Sequence, residues 1–400
     1  MWREKFITHY LGNLSSRTDL PLTVALWNGE SLNLGKSPKV TVRLPDRKAV
    51  RYFLPPSIAN LARGYVNGRF DVEGRLDDII EAAASLARTG ISGAGRVRRA
   101  LRAATHSRKR DAHAISHHYD VSNDFYRLWL DPQMLYSCAY FRDALMPLAE
   151  AQTAKLDHIF AKIMLKPGEH LLDIGCGWGA LALRAAQKHG ARVVGVTLSQ
   201  NQCDLARERV RAAGLKDRVE IRLQDYRDVD GRFDKITSVG MFEHVGLKHL
   251  GAYFAKINAL LADGGLVLNH GITSTDPDSA ESPYDAGEFI GEYVFPHGEL
   301  PHVSLVLREM QAAGLEAIDV ESLRRHYART LALWAANYES QSAAIRAMVD
   351  ETTYRVWRIY LAGCAHAFAQ NWVSIHQVLA CKAGQEGLNP TPLTRDYMYA

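Results

Sequence analysis

Cysteine is scarce in this 400-residue chain: five residues, at 138, 176, 203, 364 and 381, with no pair at CxxC spacing. Neither a disulfide framework nor a metal site is indicated, and a reducing cytoplasm is the simplest setting. Long apolar runs are missing too. None approaches the roughly 18 residues of a membrane span. The opening Met-Trp-Arg-Glu-Lys-Phe-Ile lacks the apolar core and cleavage pattern of a secretory signal. Composition shows no extreme. With 47% hydrophobic and 23% charged residues, the chain reads as globular, which excludes disorder and fibrous repeats. The length leaves room for two or three domains of about 150 residues each.

Acid is missing from one stretch. Between Arg88 and Arg110 stand eight basic residues (88, 96, 98, 99, 102, 108, 109 and 110) and no Asp or Glu. The formal net charge is only +4, so the rest of the chain is net acidic. Gly90, Gly93 and Gly95 fall in the same stretch, which reads as a linker or weak helix. Such charge suits an anionic membrane surface, where each Lys or Arg contributes about 1 kcal/mol; a solvated linker is the alternative. The stretch lacks interleaved aromatics, and no nucleic acid is expected as a partner.

Residues 1–87 read as a small α+β domain. VTVRL (40–44) and AVRYFL (49–54) flank Pro45-Asp46-Arg47 as a hairpin, and apolar spacing predicts helices over 58–65 and 76–86. Residues 88–112 then form the basic linker and 113–400 the second domain. Residues 111–165 read as helical. After Pro167-Gly168, strands HLLDI (170–174), RVVGVTL (192–198), RVEIRL (218–223), FDKITSV (233–239) and GLVLNHGI (265–272) alternate with helices such as 180–189 and 200–213. The alternation predicts an α/β domain with a mainly parallel, Rossmann-like sheet. Residues 303–383 read as helix again.

The first of these strands ends in Asp173-Ile174-Gly175-Cys176-Gly177-Trp178-Gly179 and runs into an apolar helix. Glycines let the chain turn tightly and let a ligand lie against bare main chain, and a helix start offers free N–H groups. A dinucleotide turn needs GxGxxG and an acid about 20 residues on. Here the spacing is GxGxG, and the second strand ends in Val196-Thr197-Leu198-Ser199-Gln200-Asn201-Gln202, without an acid. Both points argue against a nicotinamide cofactor. The D-x-G-x-G-x-G form resembles the S-adenosylmethionine (SAM) turn of class I methyltransferases; a plain glycine turn is the alternative. Thr197 and Gln202 would then bind the ribose or methionine part. Asp225-Tyr226 follow the third strand, where an adenine commonly sits in this fold, or simply end it.

Three more segments make the likeness specific: His118-Tyr119-Asp120-Val121-Ser122-Asn123-Asp124-Phe125-Tyr126, Tyr136-Ser137-Cys138-Ala139-Tyr140-Phe141, and Gly240-Met241-Phe242-Glu243-His244-Val245-Gly246. With the glycine turn, NHGI (269–272) and HYARTLALW (326–334), they resemble the cyclopropane-fatty-acyl-phospholipid synthase family over roughly residues 113–382. The resemblance implies a class I SAM-dependent methyltransferase fold with helical insertions and a small N-terminal domain. It implies a cytoplasmic enzyme, peripheral on the inner face of the membrane and dimeric. That enzyme adds a SAM methylene across the cis double bond of an unsaturated phospholipid acyl chain. SAM is placed at Tyr136, Ser137, Asp173 to Gly179, Thr197, Leu198, Ser199, Gln202, Asp225, Tyr226 and Arg227. Bicarbonate is placed at Cys138, Glu243, His270, the main chain of Ile272, and Tyr327. Cys364 matches a cysteine read as a nucleophile. Relatives performing simple C- or N-methylation, and a non-catalytic lipid-binding module, stay open as alternatives.

The chemistry makes two demands. An alkene attacking a sulfonium methyl leaves a carbocation on the acyl chain, and a proton must then leave the new methyl for the ring to close. Aromatic faces suit the cation, at about 0.5–2 kcal/mol each; Tyr119, Tyr136, Tyr140, Phe141, Phe242, Tyr293 and Phe295 are the candidates, each of a kind more often found in a core. A small anion held by Tyr, His and main-chain donors suits as the base, with Glu243 accepting a proton from it or from His270. Read singly, His270 is an ordinary core histidine and Glu243-His244 a helix cap. A thiol nucleophile needs nearby positive charge. Cys364 lies in an apolar helical stretch, 359–368, without an adjacent base, which favours a packing role.

Overall fold

The computed structural model describes residues 19–54, 56–89, 121–278, 286–295, 298–382, 387 and 389–399. Tyr119 and the basic stretch from residue 90 lie outside them. The chain divides into two compact units: Met1–Ala103 with Glu281–Pro296 and Tyr338–Gln370, and Ala104–Ala280 with His297–Asn337 and Asn371–Ala400. The contiguous division expected from the sequence did not anticipate the two later segments of the first unit.

In the first unit β1 (Leu22–Ala25), β2 (Ser31–Asn33), β3 (Val40–Arg43) and β4 (Asp71–Glu73) form a sheet of order β2-β1-β3-β4. Alternation along β1 and β3 buries Leu22, Val24, Val40 and Val42 in one core with Leu61, Tyr65, Ile79 and Leu86 of the helices Ile58–Val66 and Leu76–Arg88. The helix Glu351–Ala369 packs on both. The expected hairpin does not form. The Asp46 carboxylate accepts from the N–H groups of Lys48 and Ala49 and starts a 3-10 helix at Arg47–Tyr52. A local side-chain bond thus overrides the alternating pattern, and β3 pairs with β1 and β4 instead.

The second unit holds a seven-stranded sheet of order β10-β11-β9-β8-β5-β6-β7. Its strands are β5 (His170–Ile174), β6 (Arg192–Thr197), β7 (Val219–Leu223), β8 (Phe233–Val239), β9 (Leu261–Ser274), β10 (Leu315–Ser322) and β11 (Val373–Lys382). Strands β9-β8-β5-β6-β7 are parallel; β11 runs antiparallel between β9 and β10. The parallel strands are the five read from the sequence. They stand out there because both faces are covered: Leu171, Leu172, Ile236, Leu266, Val267 and Leu268 are all fully buried. The helical reading of 303–383 is corrected by β10 and β11. The connection leaving β5 reverses between β6 and β8, and a cleft is expected at the carboxyl ends of strands about such a point.

Helix does not run through to 165. After Asn123–Arg127 the chain is irregular until Leu148–Lys162. Two buried side chains shape that stretch. The Asp131 carboxylate accepts from Gln133 N and Leu135 N, and Gln152 Nε2 donates to the carbonyls of Leu135 and Ser137. Among the described residues no helix is long and apolar enough to cross a membrane.

Candidate active site

A cleft opens over the carboxyl ends of the parallel strands in the second unit. Its floor is the glycine turn. Gly175, Gly177 and Gly179 have φ of +80°, +53° and +82°, a region closed to most side chains. Gly179 caps the helix Ala180–His189. The Asp173 carboxylate is buried, accepts from Thr237 Oγ1 at 2.9 Å, and is pushed up to about 6 by desolvation. The expected donor-site residues line this cleft, except Gly179 and Ser199. Ser199 instead caps the helix Gln200–Ala212 through Gln202 N. Thr197 Oγ1, at the end of β6, donates to Gln202 Oε1 in the first turn of the next helix at 2.9 Å, so the two polar groups are fixed against each other. Arg227 holds Asp225 with Nε and Nη2, at 2.9 and 2.6 Å.

Aromatic rings stiffen one wall. Tyr136 packs against Tyr126, Trp129 and Trp334, with centroids 5.3–5.8 Å apart. Tyr126 meets Trp178, whose Nε1–H donates to Asn123 Oδ1 at 2.7 Å.

Beside the cleft, β8 gives way to the 3-10 turn Phe242–His244, which carries Glu243. Glu243 Oε1 accepts from Ile272 N at 2.7 Å, while Oε2 is buried without a partner. Burial pushes this carboxyl up to about 7. His270, fully buried on β9, is pushed down to about 3 by desolvation and is neutral. Gln377, its cross-strand neighbour on β11, meets Nδ1 with its amide Nε2 at 3.1 Å. The Gln nitrogen donates, so the ring hydrogen sits on Nε2. That Nε2 is also buried without a partner. The Cys138 thiol is buried, donates to Ala139 O at 3.3 Å, and is held protonated by desolvation. Tyr327 lies on the helix Arg324–Ser340, its ring edge-on to Trp334.

Comparison with known proteins identifies the family. The family described as mycolic acid cyclopropane synthetase matches residues 106–378; a domain of unknown function matches residues 9–92. A probable fatty acid methyltransferase of Pseudomonas putida is 47% identical over 382 residues, covering 95% of this chain and 96% of that one. Cyclopropane mycolic acid synthase 1 of Mycobacterium tuberculosis is 37% identical over 274 residues, covering 66% of this chain and 94% of that one. The crystal structure of mycolic acid cyclopropane synthase CmaA1 complexed with SAH and CTAB superposes with a TM-score of 0.64 at 36% identity, covering 68% of this chain and 98% of that one. The chain belongs to the mycolic acid cyclopropane synthetase family. It is a SAM-dependent methyltransferase of that family, with the class I fold.

Tyr140, Phe141 and Phe242 do not line the cleft. The Tyr140 ring stacks on His158 and His326, with centroids at 4.2 and 4.9 Å. Arg329 lies over Phe141. Phe242 is core, pressed against the main chain at Gly271. Tyr293, Phe295 and Cys364 belong to the first unit. The Cys364 thiol is pushed up to about 12 by desolvation, the opposite of an activated nucleophile. Sequence reasoning missed Gln377 and Lys155. Gln377 sits opposite His270, and Lys155 lines the cleft, buried in the helix Leu148–Lys162. Neither stands in a segment whose pattern marks it.

Proposed function

We propose that the chain transfers the SAM methyl carbon to the cis double bond of an unsaturated phospholipid acyl chain and closes a cyclopropane ring there, with bicarbonate as base. The observation that carries this reading is the pair of buried, unpartnered polar atoms beside the cleft, Glu243 Oε2 and His270 Nε2. Buried polar atoms are rarely left unsatisfied without a ligand or water. A neutral imidazole N–H, a protonatable carboxyl, a protonated thiol and a tyrosine hydroxyl fit a small oxyanion. A methyltransferase acting on an amine needs no base next to the methyl, because the proton leaves from nitrogen.

The alkene π pair forms the new C–C bond as the C–S bond breaks with its pair to sulfur. The acyl chain is left cationic, and loss of a proton from the new methyl frees the pair that closes the ring. Bicarbonate, when bound, would supply the base for that proton. Glu243 would hold it through Oε2, with Ile272 N–H fixing Oε1; His270 would donate from Nε2, and Cys138 and Tyr327 would hold the remaining oxygens. The dry aromatic wall around Tyr136 keeps water from the cation and offers it a ring face. The double bond lies within a bilayer, so the chain docks on the anionic inner face, for which the basic stretch 88–110 supplies the charge.

The name of the Pseudomonas relative favours a second reading, methylation of the acyl chain without ring closure. Mass spectrometry of phospholipids from cells expressing the chain separates them. A gain of one CH2 on monounsaturated chains that resists hydrogenation means a ring. A gain that takes up hydrogen means chain methylation, and no gain refutes both.

A further inference from the structure

Lys155 takes no part in the reading so far. Only 1% exposed, it lines the cleft between Ser137 and Asp173. Its Nζ donates to Ser137 Oγ at 2.7 Å, and the ionisable groups around it are Asp131, Asp173 and the Cys138 thiol. It is near enough to His270 to help keep that ring neutral. A buried ammonium is unfavourable unless partners hold it, and an apolar side chain would fill the same volume. Its position in the wall of a ligand cleft therefore calls for a chemical reason.

We propose that Lys155 discriminates between the two forms of the donor, disfavouring cationic SAM relative to neutral S-adenosylhomocysteine (SAH). The inference rests on the donor seat proposed above. On transfer, the C–S pair returns to sulfur and the positive charge moves onto the acyl chain. An ammonium fixed in the cleft wall raises the energy of the sulfonium. It raises less that of a transition state whose charge is already leaving. Such differential interaction speeds the step, whereas uniform binding does not. Asp131 and Asp173 offset enough of the repulsion for SAM to bind. Ser137 keeps the ammonium in place, and the same bond steadies the segment between Tyr136 and Cys138. Lys155 acts as a positioning and discriminating residue, with no covalent role.

The test is calorimetric titration of SAM and SAH into the full chain at pH 7. Burial lowers Lys155 only to about 8, so the ammonium is the main form there. Lys155→Met keeps the apolar stem and removes the charge. It should raise the ratio of the SAH to the SAM dissociation constant by about tenfold, the scale of one unit charge acting across a pocket. Lys155→Arg, which keeps the charge, should leave the ratio within about twofold. If K155M does not fold, Lys155→Gln, which can still bond Ser137, takes its place with the same readout. A neutral variant that weakens both ligands by one common factor leaves Lys155 a packing residue and overturns the inference. A wild-type chain that binds neither ligand overturns the donor seat itself, and this inference with it.

Discussion

Replacing Glu243 by Gln isolates the carboxyl that the proposed chemistry depends on. The side chain keeps its shape, and its remaining carbonyl oxygen can still accept from Ile272 N, now at 2.7 Å from Oε1. What disappears is the ionisation. Burial has moved this group from 4.5 to about 7, which corresponds to about 3 kcal/mol of disfavoured charge in the folded state. The folded value lies above the unfolded one. The penalty is therefore absent below about pH 4.5, grows as the pH rises, and is complete above about pH 7. Gln carries no such term. Urea unfolding followed by tryptophan fluorescence should show E243Q gaining on the wild type by about 3 kcal/mol between pH 4.5 and pH 8. The fixed effect of the new amide cancels, because only the change with pH is read. Activity should move the other way, falling by about 10²-fold with loss of any response to bicarbonate. A wild-type and variant pair with parallel pH curves would refute the buried-carboxyl argument. Full activity with an unchanged bicarbonate response would refute its chemical role.

Gly271→Ala would drive a Cβ into the Phe242 ring; a loss of about 1–3 kcal/mol from overpacking is expected in thermal unfolding, with activity lost as Glu243 shifts. An unchanged melting temperature would contradict the packing described. Cys364→Ser should retain activity within about threefold, since a thiol held protonated is no nucleophile; complete loss with SAM binding intact would reverse this. Neutralising Arg96, Arg98, Arg99 and Arg102 together should weaken co-sedimentation with anionic vesicles at low salt, by about 1 kcal/mol per residue. Unchanged sedimentation would remove the docking role.

What the sequence revealed depended on how far local pattern survives tertiary packing. The central parallel strands, buried on both faces, read as short apolar-rich runs between helices, and the glycine turn is punctuated by residues that only a tight backbone requires. β10 escaped notice because Leu-Glu-Ala-Ile-Asp-Val-Glu-Ser mixes charge with apolar residues between two helical stretches; its pairing along β11 decides it. The hairpin expectation failed at Asp46, where one carboxylate capping two N–H groups outweighed alternation. In the site, residues inside motifs were legible and their partners were not. Lys155 in Glu-Ala-Gln-Thr-Ala-Lys-Leu-Asp reads as a solvent-facing helix position, and Gln377 falls in the stretch 303–383 that reads as helix. Only the packing of other elements over them turns both into buried groups.

The juxtaposition of the two half-sites follows from where one strand stops. β8 pairs with β9 up to Val239 opposite His270, and Gly240 N still reaches His270 O at 2.8 Å. Along a strand, every second residue turns its main-chain groups to the same side, so Ile272 N–H points toward β8 as well. β8 has by then turned away into Phe242–His244, and Glu243 takes the donor that the ladder abandons. A single strand end thus creates both the bond that orients the carboxyl and the gap that leaves its second oxygen bare. The glycine turn rises from β5, the neighbour of β8 on its other side. The donor cleft, lined by the glycine turn and by Val239 to Met241 after β8, and the paired orphan atoms therefore share one end of the sheet. Under the proposed ring closure the methyl and its base must come within hydrogen-bond reach, and strand order brings the two half-sites to one edge of the sheet.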